Sequence, residues 1–212
     1  MKALVIGATG ATGKDLVQQL LEDDSFEYVE IFVRRDVAVQ SPKLKVHVID
    51  FDRIGEWKHL LTGDVLFSCL GTTLKAAGSQ QAQWKVDYTY QLEVAREARE
   101  NGVPRYVLVS SIGANPQSKV FYPKMKGTLE EAVADLGFPA CFILRPPSLI
   151  RKNSDRIGEK VGVAVLQAFN RIGLFRSLRP LDTADLAAAM VRLAKEGSEG
   201  ITVVEADAFL VN

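Results

Sequence analysis

The sequence predicts an α/β fold in which helices cover both faces of a doubly wound parallel sheet. Short apolar runs alternate with segments of helical apolar spacing along most of the 212 residues. The runs are rich in Val, Ile, Leu and Phe, which is typical of parallel strands buried on both faces. The predicted strands are residues 3–6, 28–33, 45–49, 65–69, 106–109 and 140–144.

Helical patterns separate these strands, and Gly102 and Pro104 mark the end of the third helix. Residues 151–179 break the alternation and contain an amphipathic stretch at 161–172, so we expect a small C-terminal cap there. We predict one domain over residues 1–212, with 151–179 as its insertion. The predicted helices are residues 14–22, about 52–61, 81–101, 124–136 and 180–195, and a last strand-like stretch covers 200–211.

Composition excludes several classes of protein. The 26 Lys and Arg residues balance the 26 Asp and Glu residues, so no overall charge favours nucleic acid or an anionic membrane. No apolar run reaches the ~18 residues of a membrane span, and the first strand begins too early to leave room for a targeting peptide. Cys69 and Cys141 lie in strand-like segments, where reduced core thiols are expected rather than metal ligands. A cytoplasmic location is the resulting expectation.

The first strand ends in three glycines, Gly7, Gly10 and Gly13, spaced G-x-x-G-x-x-G before a helix. A strand, a glycine turn and a helix in this order form the dinucleotide-binding fingerprint of the Rossmann fold. The glycines permit a tight turn, a close approach of the pyrophosphate and close helix–strand packing. The free N–H groups and the dipole of the helix start favour phosphate. The predicted phosphate-binding residues are Gly7, Thr9, Gly10, Ala11, Thr12 and Gly13.

The end of the second strand predicts NADP(H) in preference to NAD(H). A carboxylate at this place binds the ribose 2′-hydroxyl of NAD, whereas arginine accommodates the 2′-phosphate of NADP. Arg34 and Arg35 stand here, and Asp36 follows them and leaves NAD binding open. Two solvated surface arginines are the alternative interpretation.

The next two strand ends are expected to complete the cofactor site. Asp50 and Phe51 follow the third strand, where such folds commonly meet adenine, although Asp50 is equally suited to cap the next helix. The fourth strand is followed by Leu70, Gly71 and Thr72 at the carboxyl edge of the sheet, where a ligand crosses an open α/β sheet.

Tyr122 and Lys126 form the candidate catalytic pair, because their i, i+4 spacing puts both on one face of a helix starting near Pro123. A phenol can give a proton to a reduced carbonyl, and a nearby ammonium lowers its pKa. The lysine can also hold the cofactor ribose. Ser110 and Ser111 end the fifth strand at the same sheet edge; they point to opposite faces, and we favour Ser111 as the third member.

These motifs, taken in order, resemble an atypical short-chain dehydrogenase/reductase, most closely the Tat-interacting oxidoreductase-like subgroup. The resemblance is clearest from Met1 to about Arg151. It implies NADP(H) binding, Tyr122 as acid/base with Lys126 as its partner, and Pro146 beside the nicotinamide. The motifs are Gly-Ala-Thr-Gly-Ala-Thr-Gly from Gly7, Val-Arg-Arg from Val33, Val-Ile-Asp-Phe from Val48, Ser-Cys-Leu-Gly-Thr-Thr from Ser68, Val-Ser-Ser from Val109, Tyr-Pro-Lys-Met-Lys-Gly from Tyr122 and Leu-Arg-Pro from Leu144.

One departure is Asp87, which stands where the wider family often carries an asparagine that supports the lysine. The expected function is hydride transfer to a small carbonyl substrate. The alternative is an NADP(H)-binding regulatory or interaction protein with little turnover, in which Phe169 to Phe175 contact a partner. A protein partner or a homodimer is compatible with the sequence, whereas nucleic acid, membrane and metal are not expected.

Overall fold

The computed structural model of the chain describes residues 1–150 and 180–209, and it contains the predicted parallel sheet. The sheet has seven strands in the order β3-β2-β1-β4-β5-β6-β9, and every neighbouring pair is parallel. A second, two-stranded sheet joins β7 (Leu149–Ile150) to β8 (Leu181–Asp182). The seven strands are β1 (Lys2–Ile6), β2 (Tyr28–Val33), β3 (Leu44–Val48), β4 (Val65–Ser68), β5 (Arg105–Val109), β6 (Ala140–Leu144) and β9 (Gly200–Val204).

Helices cover both faces of this sheet, which confirms the predicted fold class. Adjacent strand residues such as Leu4 and Val5 are both fully buried, because they enter different cores on opposite faces. This double burial explains the continuous apolar strand sequences. The helices are α1 (Ala11–Glu22), α2 (Ile54–Trp57), α3 (Leu74–Ala77), α4 (Gln80–Trp84), α5 (Tyr90–Glu100), α6 (Phe121–Ala134) and α7 (Thr183–Lys195).

The order of the strands fixes where a ligand can bind. The chain builds β1, β2 and β3 outward in one direction and then returns to place β4 on the other side of β1. Ligands of open α/β sheets bind at such a switch point, in the crevice beyond the carboxyl ends of the strands. Here that crevice lies where β1 and β4 end, at the paired residues Ile6 and Ser68.

Two predicted helices are irregular. The helix predicted over 52–61 is a 3-10 turn, α2 and a second 3-10 turn. Gly55, near the middle of this segment, disfavours a continuous helix. The Trp57 indole N–H donates a hydrogen bond to the Asp50 carbonyl oxygen, with a nitrogen–oxygen distance of 2.8 Å. The helix predicted over 81–101 is split into α4 and α5 by a π-helical turn at Lys85–Thr89.

The C-terminal predictions have different outcomes. The strand-like stretch predicted over 200–211 ends at Val204, because its partner β6 ends at Leu144, and a 3-10 turn, Ala206–Phe209, follows. The cap at 151–179, with its helix at 161–172 and the surface from Phe169 to Phe175, lies outside the described residues. Within residues 1–150 and 180–209, every helix is too short or too polar to span a bilayer.

Candidate active site

Gly7 and Gly13 allow β1, α1 and the end of β4 to meet at the switch point. Gly7 has a φ of +78°, and a Cβ there would lie 2.3 Å from the Cys69 carbonyl carbon. A Cβ on Gly13 would lie 2.1 Å from the Gly7 carbonyl oxygen, which itself accepts a hydrogen bond from the Gly10 N–H at 3.0 Å. Backbone packing therefore requires glycine at the first and third positions of the motif.

The start of α1 is suited to an anion. Gly10 is the N-cap and supplies no capping side chain, and the first turn carries no acidic residue. The first N–H groups of a helix lack partners within it, so those of this turn can bind a ligand. Gly10, Ala11 and Thr12 line the cavity at the switch point, whereas Thr9 is exposed beside it. These residues fit the pyrophosphate of a dinucleotide.

This cavity has a volume of about 770 Å³, in the range of small-molecule and cofactor sites. It brings together the start of α1, the loop after β4 and the start of α6, three segments far apart in the sequence. The predicted site residues that line it are Gly10, Ala11, Thr12, Leu70, Gly71, Thr72, Tyr122 and Lys126.

A row of buried polar side chains holds the loop after β4 in place. Gln83, Asp87 and Gln91 are four residues apart, and each is less than 5% exposed. The Gln83 amide donates to the Thr72 carbonyl oxygen at 3.2 Å, and the Asp87 carboxylate accepts from the Thr72 N–H at 2.8 Å. The Ser68 hydroxyl donates to the Gln91 amide oxygen at 2.6 Å. Sequence reasoning missed Gln83 and Gln91; their polar i, i+4 spacing on an otherwise buried helix face was the available signal.

α6 begins at Phe121, slightly before the predicted start at 123–124, and carries Tyr122 and Lys126 one turn apart. Tyr122 is 38% exposed, whereas Lys126 is 3% exposed and its ammonium donates to the Val109 carbonyl oxygen at 3.2 Å. The lysine is therefore anchored to the end of β5, and the tyrosine stands at the cavity wall.

Two further titratable groups line the same end of the cavity. Burial raises the pKa of the Asp87 carboxyl above its usual value, although the charge of Lys126 and the hydrogen bond from the Thr72 N–H oppose the shift. Burial also raises the pKa of the Cys69 thiol to about 12, with Lys126 opposing. Cys69 is thus a protonated thiol at the cavity wall, while Cys141 is buried in the core.

The structure places Ser110, and not Ser111, in the cavity, which corrects the preference for Ser111. Ser110 is 5% exposed, and its N–H donates to the Leu144 carbonyl oxygen at 2.7 Å, so it continues the ladder of β5 and β6. Successive side chains of an extended chain point to opposite sides. The Ser111 hydroxyl therefore points elsewhere and makes one long contact, 3.3 Å, with the Ile112 carbonyl oxygen.

A buried ion pair holds the Ser110 hydroxyl. Glu130, 5% exposed, accepts a short hydrogen bond from Ser110 and also accepts from the Arg145 guanidinium through both carboxylate oxygens. The Arg145 guanidinium also forms an ion pair with Glu205, with a nitrogen–oxygen distance of 2.7 Å. The Ser110 hydroxyl is thus a donor to Glu130, next to the guanidinium of Arg145, which can only donate. The hydrogen bonds that the Arg145 guanidinium donates to Glu130 raise the pKa of Arg145 above its usual value.

The remaining predicted residues lie outside the cavity lining. Arg34 and Arg35 are exposed directly after β2. Asp50 caps the 3-10 turn by accepting from the Asp52 N–H at 2.9 Å, which is the capping alternative considered above. Phe51 is 4% exposed and its ring stacks on Tyr90 in the core, while the expected contact of this segment with adenine stays a prediction.

Pro146 is buried, and its carbonyl oxygen accepts from the Ile112 N–H at 3.0 Å. It therefore joins the end of β6 to the segment that follows β5, and it is not among the residues that line the cavity.

Comparison with known proteins agrees with this geometry. The profile of the NAD(P)H-binding family matches residues 7–197. The chain belongs to this family. It is 32% identical over 209 residues to Protein FMP52, mitochondrial, of Candida albicans, covering 94% of this chain and 90% of that protein. It is 35% identical to Protein FMP52-1, mitochondrial, of Scheffersomyces stipitis, again over 94% and 90% of the two chains.

Solved structures of low sequence identity have the same fold. MoeE5 in complex with UDP-glucuronic acid and NAD matches with a TM-score of 0.74 and 16% identity, over 96% of this chain and 75% of that one. The oxidoreductase ylbE from Lactococcus lactis matches with a TM-score of 0.68 and 18% identity, over 99% and 95%. The chain thus has the Rossmann fold and belongs to an NAD(P)H-binding family.

The comparisons overturn one prediction. The relatives from Candida albicans, Scheffersomyces stipitis, Saccharomyces cerevisiae and Aspergillus fumigatus are all named mitochondrial proteins. The prediction of a cytoplasmic location is therefore wrong; it depended on the early start of the first strand and the lack of a recognisable targeting segment.

Proposed function

We propose that this family member is an NADPH-dependent reductase of small carbonyl compounds, of the atypical short-chain dehydrogenase type and related to the Tat-interacting oxidoreductase-like subgroup. One observation carries the proposal. Tyr122 and Lys126 line the same cavity as the glycine turn of α1, so an acid/base pair stands beside a site that fits a dinucleotide.

Each residue has a distinct task in this proposal. NADPH, when bound, supplies the hydride, and the Tyr122 phenol gives its proton to the substrate oxygen. The buried Lys126 ammonium, which donates to the Val109 carbonyl oxygen, lines the same cavity and can hold the cofactor ribose. The Ser110 hydroxyl donates its only hydrogen to Glu130, so toward the cavity it can act only as a hydrogen-bond acceptor. The substrate oxygen therefore takes its proton from Tyr122 and not from a serine hydroxyl.

Arg34 and Arg35 support NADPH in preference to NADH, since both guanidiniums are exposed at the end of β2, where such folds bind the ribose. Protein fluorescence titrations with both cofactors test this part. Replacing both arginines by alanine is expected to weaken NADPH binding by about tenfold or more, in line with the loss of charge-assisted hydrogen bonds. NADH affinity should change less than twofold. Equal losses for both cofactors would remove the role given to the arginines.

Tyr122→Phe tests the chemistry. A panel of aldehydes and ketones is screened by NADPH consumption, and the variant is compared on the best substrate. Loss of the general acid should lower kcat by about 10²–10⁴-fold, while NADPH affinity stays within twofold. Tyr28→Phe is the matched control, because Tyr28 is an exposed tyrosine at the first residue of β2, at the opposite edge of the sheet.

Two results would contradict the proposal. Retained turnover in Tyr122→Phe would remove the acid/base role. NADPH binding by the natural protein without turnover of any carbonyl in the panel would instead favour the regulatory alternative.

A further inference from the structure

A second cavity of about 670 Å³ adjoins the first and is not explained by cofactor binding. Gln80 and Phe121 line both cavities, so the two spaces meet at these side chains. Phe121 is the direct chain neighbour of Tyr122. A ligand that reaches the Tyr122 hydroxyl can therefore extend past Phe121 into the second cavity. The residues lining the second cavity include neither the glycine turn nor the loop Leu70–Thr72, so it is separate from the phosphate region.

The walls of this second cavity are aromatic. The ring centroids of Trp84 and Phe121 are 6.2 Å apart and their planes are inclined by 50°. Trp84 is also held from behind by Tyr88, at a centroid distance of 4.8 Å. Both Trp84 and Phe121 are half-buried, which leaves part of each ring surface open. At this separation the two rings contact each other and form one aromatic surface, on which a flat, apolar ring can pack.

The positive charge that lines the second cavity is paired with a carboxylate of the protein. Lys85 is the charged residue among those lining it in the described part of the chain. Its ammonium lies 2.6 and 2.8 Å from the two carboxylate oxygens of Asp52, and it also lies over the Tyr90 ring. The other polar lining groups, such as the Gln81 amide and the Thr89 hydroxyl, are uncharged. This surface offers no free cation to a carboxylate or a phosphate.

From the shared wall, the aromatic lining and the neutral charge, we infer that this second cavity is a subsite for a flat, uncharged ring of the substrate. The inference rests on the proposed function for the reacting carbonyl, and it names the substrate class: an uncharged carbonyl compound that carries an aromatic or similarly planar group. Trp84 and Phe121 hold the ring, and the carbonyl points toward Tyr122.

Calorimetric titration of the full-length protein, saturated with NADP⁺ so that no turnover occurs, tests the subsite. The probe is 2-acetonaphthone, and 6-acetyl-2-naphthoate is its counterpart with a charge at the end of the ring that enters the second cavity. We expect 2-acetonaphthone to bind at least tenfold more tightly than 6-acetyl-2-naphthoate. Trp84→Leu should weaken its binding by about three- to tenfold, since it removes an aromatic contact but keeps an apolar side chain. Trp84→Phe should restore most of the affinity. Tyr28→Leu, which removes an exposed ring at the opposite sheet edge, should have no effect.

The outcomes separate the subsite from the proposed reaction. If 2-acetonaphthone binds in a way that depends on Trp84 but is not reduced by NADPH, the result would support the subsite and contradict the proposed reductase activity. Equal affinity in Trp84→Leu and the natural protein, or tighter binding of 6-acetyl-2-naphthoate, would overturn the subsite. Sedimentation of both proteins adds a further check: a dimer that Trp84→Leu converts to monomer would make this face an interface between copies, which also overturns the inference.

Discussion

Replacing Gly13 by alanine should destabilise the protein far more than the same change at Gly10, although both glycines belong to one motif. The Cβ at position 13 would lie 2.1 Å from the Gly7 carbonyl oxygen, more than an ångström inside the 3.4 Å at which ordinary contact begins. That oxygen cannot retreat freely, because it accepts the Gly10 N–H. Overpacking of this kind costs about 1–3 kcal/mol, and the strained hydrogen bond adds about 1 kcal/mol.

For a domain of this length, 1 kcal/mol corresponds to about 2–4 °C in Tm. A cost of about 3 kcal/mol for Gly13→Ala therefore predicts a fall of about 6–12 °C. At position 10 the Cβ would lie 3.2 Å from the same oxygen, which requires a shift of a few tenths of an ångström. We expect Gly10→Ala to lower Tm by less than about 4 °C. It should still weaken NADPH binding, since Gly10 lines the cavity.

Thermal unfolding followed by circular dichroism, with and without NADPH, is the assay. Gly55→Ala is the matched control: no atom lies within 4 Å of its added Cβ, and alanine favours the helix by about 0.5–1 kcal/mol, so Tm should rise slightly. A Tm for Gly13→Ala within 2 °C of the natural protein would refute the packing argument. Equal destabilisation by Gly10→Ala and Gly13→Ala would refute it as well.

Three further predictions concern buried polar groups. Asp87→Asn should raise Tm at pH 7 more than at pH 4. Burial raises the pKa of the Asp87 carboxyl in the folded protein, so the folded state loses stability as the pH rises above the pKa that this group has in the unfolded chain. Asparagine does not ionise and therefore removes this loss. Equal Tm gains at both pH values would contradict this. Glu130→Gln should lower Tm well beyond Glu205→Gln, because Glu130 is buried against Arg145 whereas Glu205 is exposed at the other end of the same guanidinium. Gln91→Leu, measured by urea unfolding, should cost about 1–3 kcal/mol, since it leaves the buried Ser68 hydroxyl without its acceptor; a cost below 0.5 kcal/mol would contradict it.

The sheet could be predicted from the sequence because its signal is local. Each strand is a short apolar run, and β2 and β6 have the predicted bounds. The glycine turn is equally local, since the spacing of Gly7, Gly10 and Gly13 already specifies strand, turn and helix. Tyr122 and Lys126 could be paired because helical spacing alone puts them on one face.

Features that depend on partners from distant segments could not be predicted in the same way. Ser110 and Ser111 have the same chemistry, and only the position of Glu130, which is 20 residues away, decides which hydroxyl is held. Phe51 turns into the core because Trp57 and Tyr90 offer it aromatic partners, a contact that no local pattern indicates. The π turn at Lys85–Thr89 likewise breaks a helical pattern that looks continuous in the sequence.

One helix register links these parts. Tyr122, Lys126 and Glu130 succeed one another at four-residue spacing on α6, so the cavity wall, the anchored ammonium and the acceptor of Ser110 form one stripe. Gly127 allows α6 to pack closely on the loop that contains Pro116. A Cβ at position 127 would lie only 2.3 Å from the backbone nitrogen of Pro116. Because each residue of an α-helix advances by about 100°, a shift of one residue would remove all three side chains from the site together. The proposed catalytic pair and the serine contact are therefore one structural unit, fixed by the position of α6 against the end of β5.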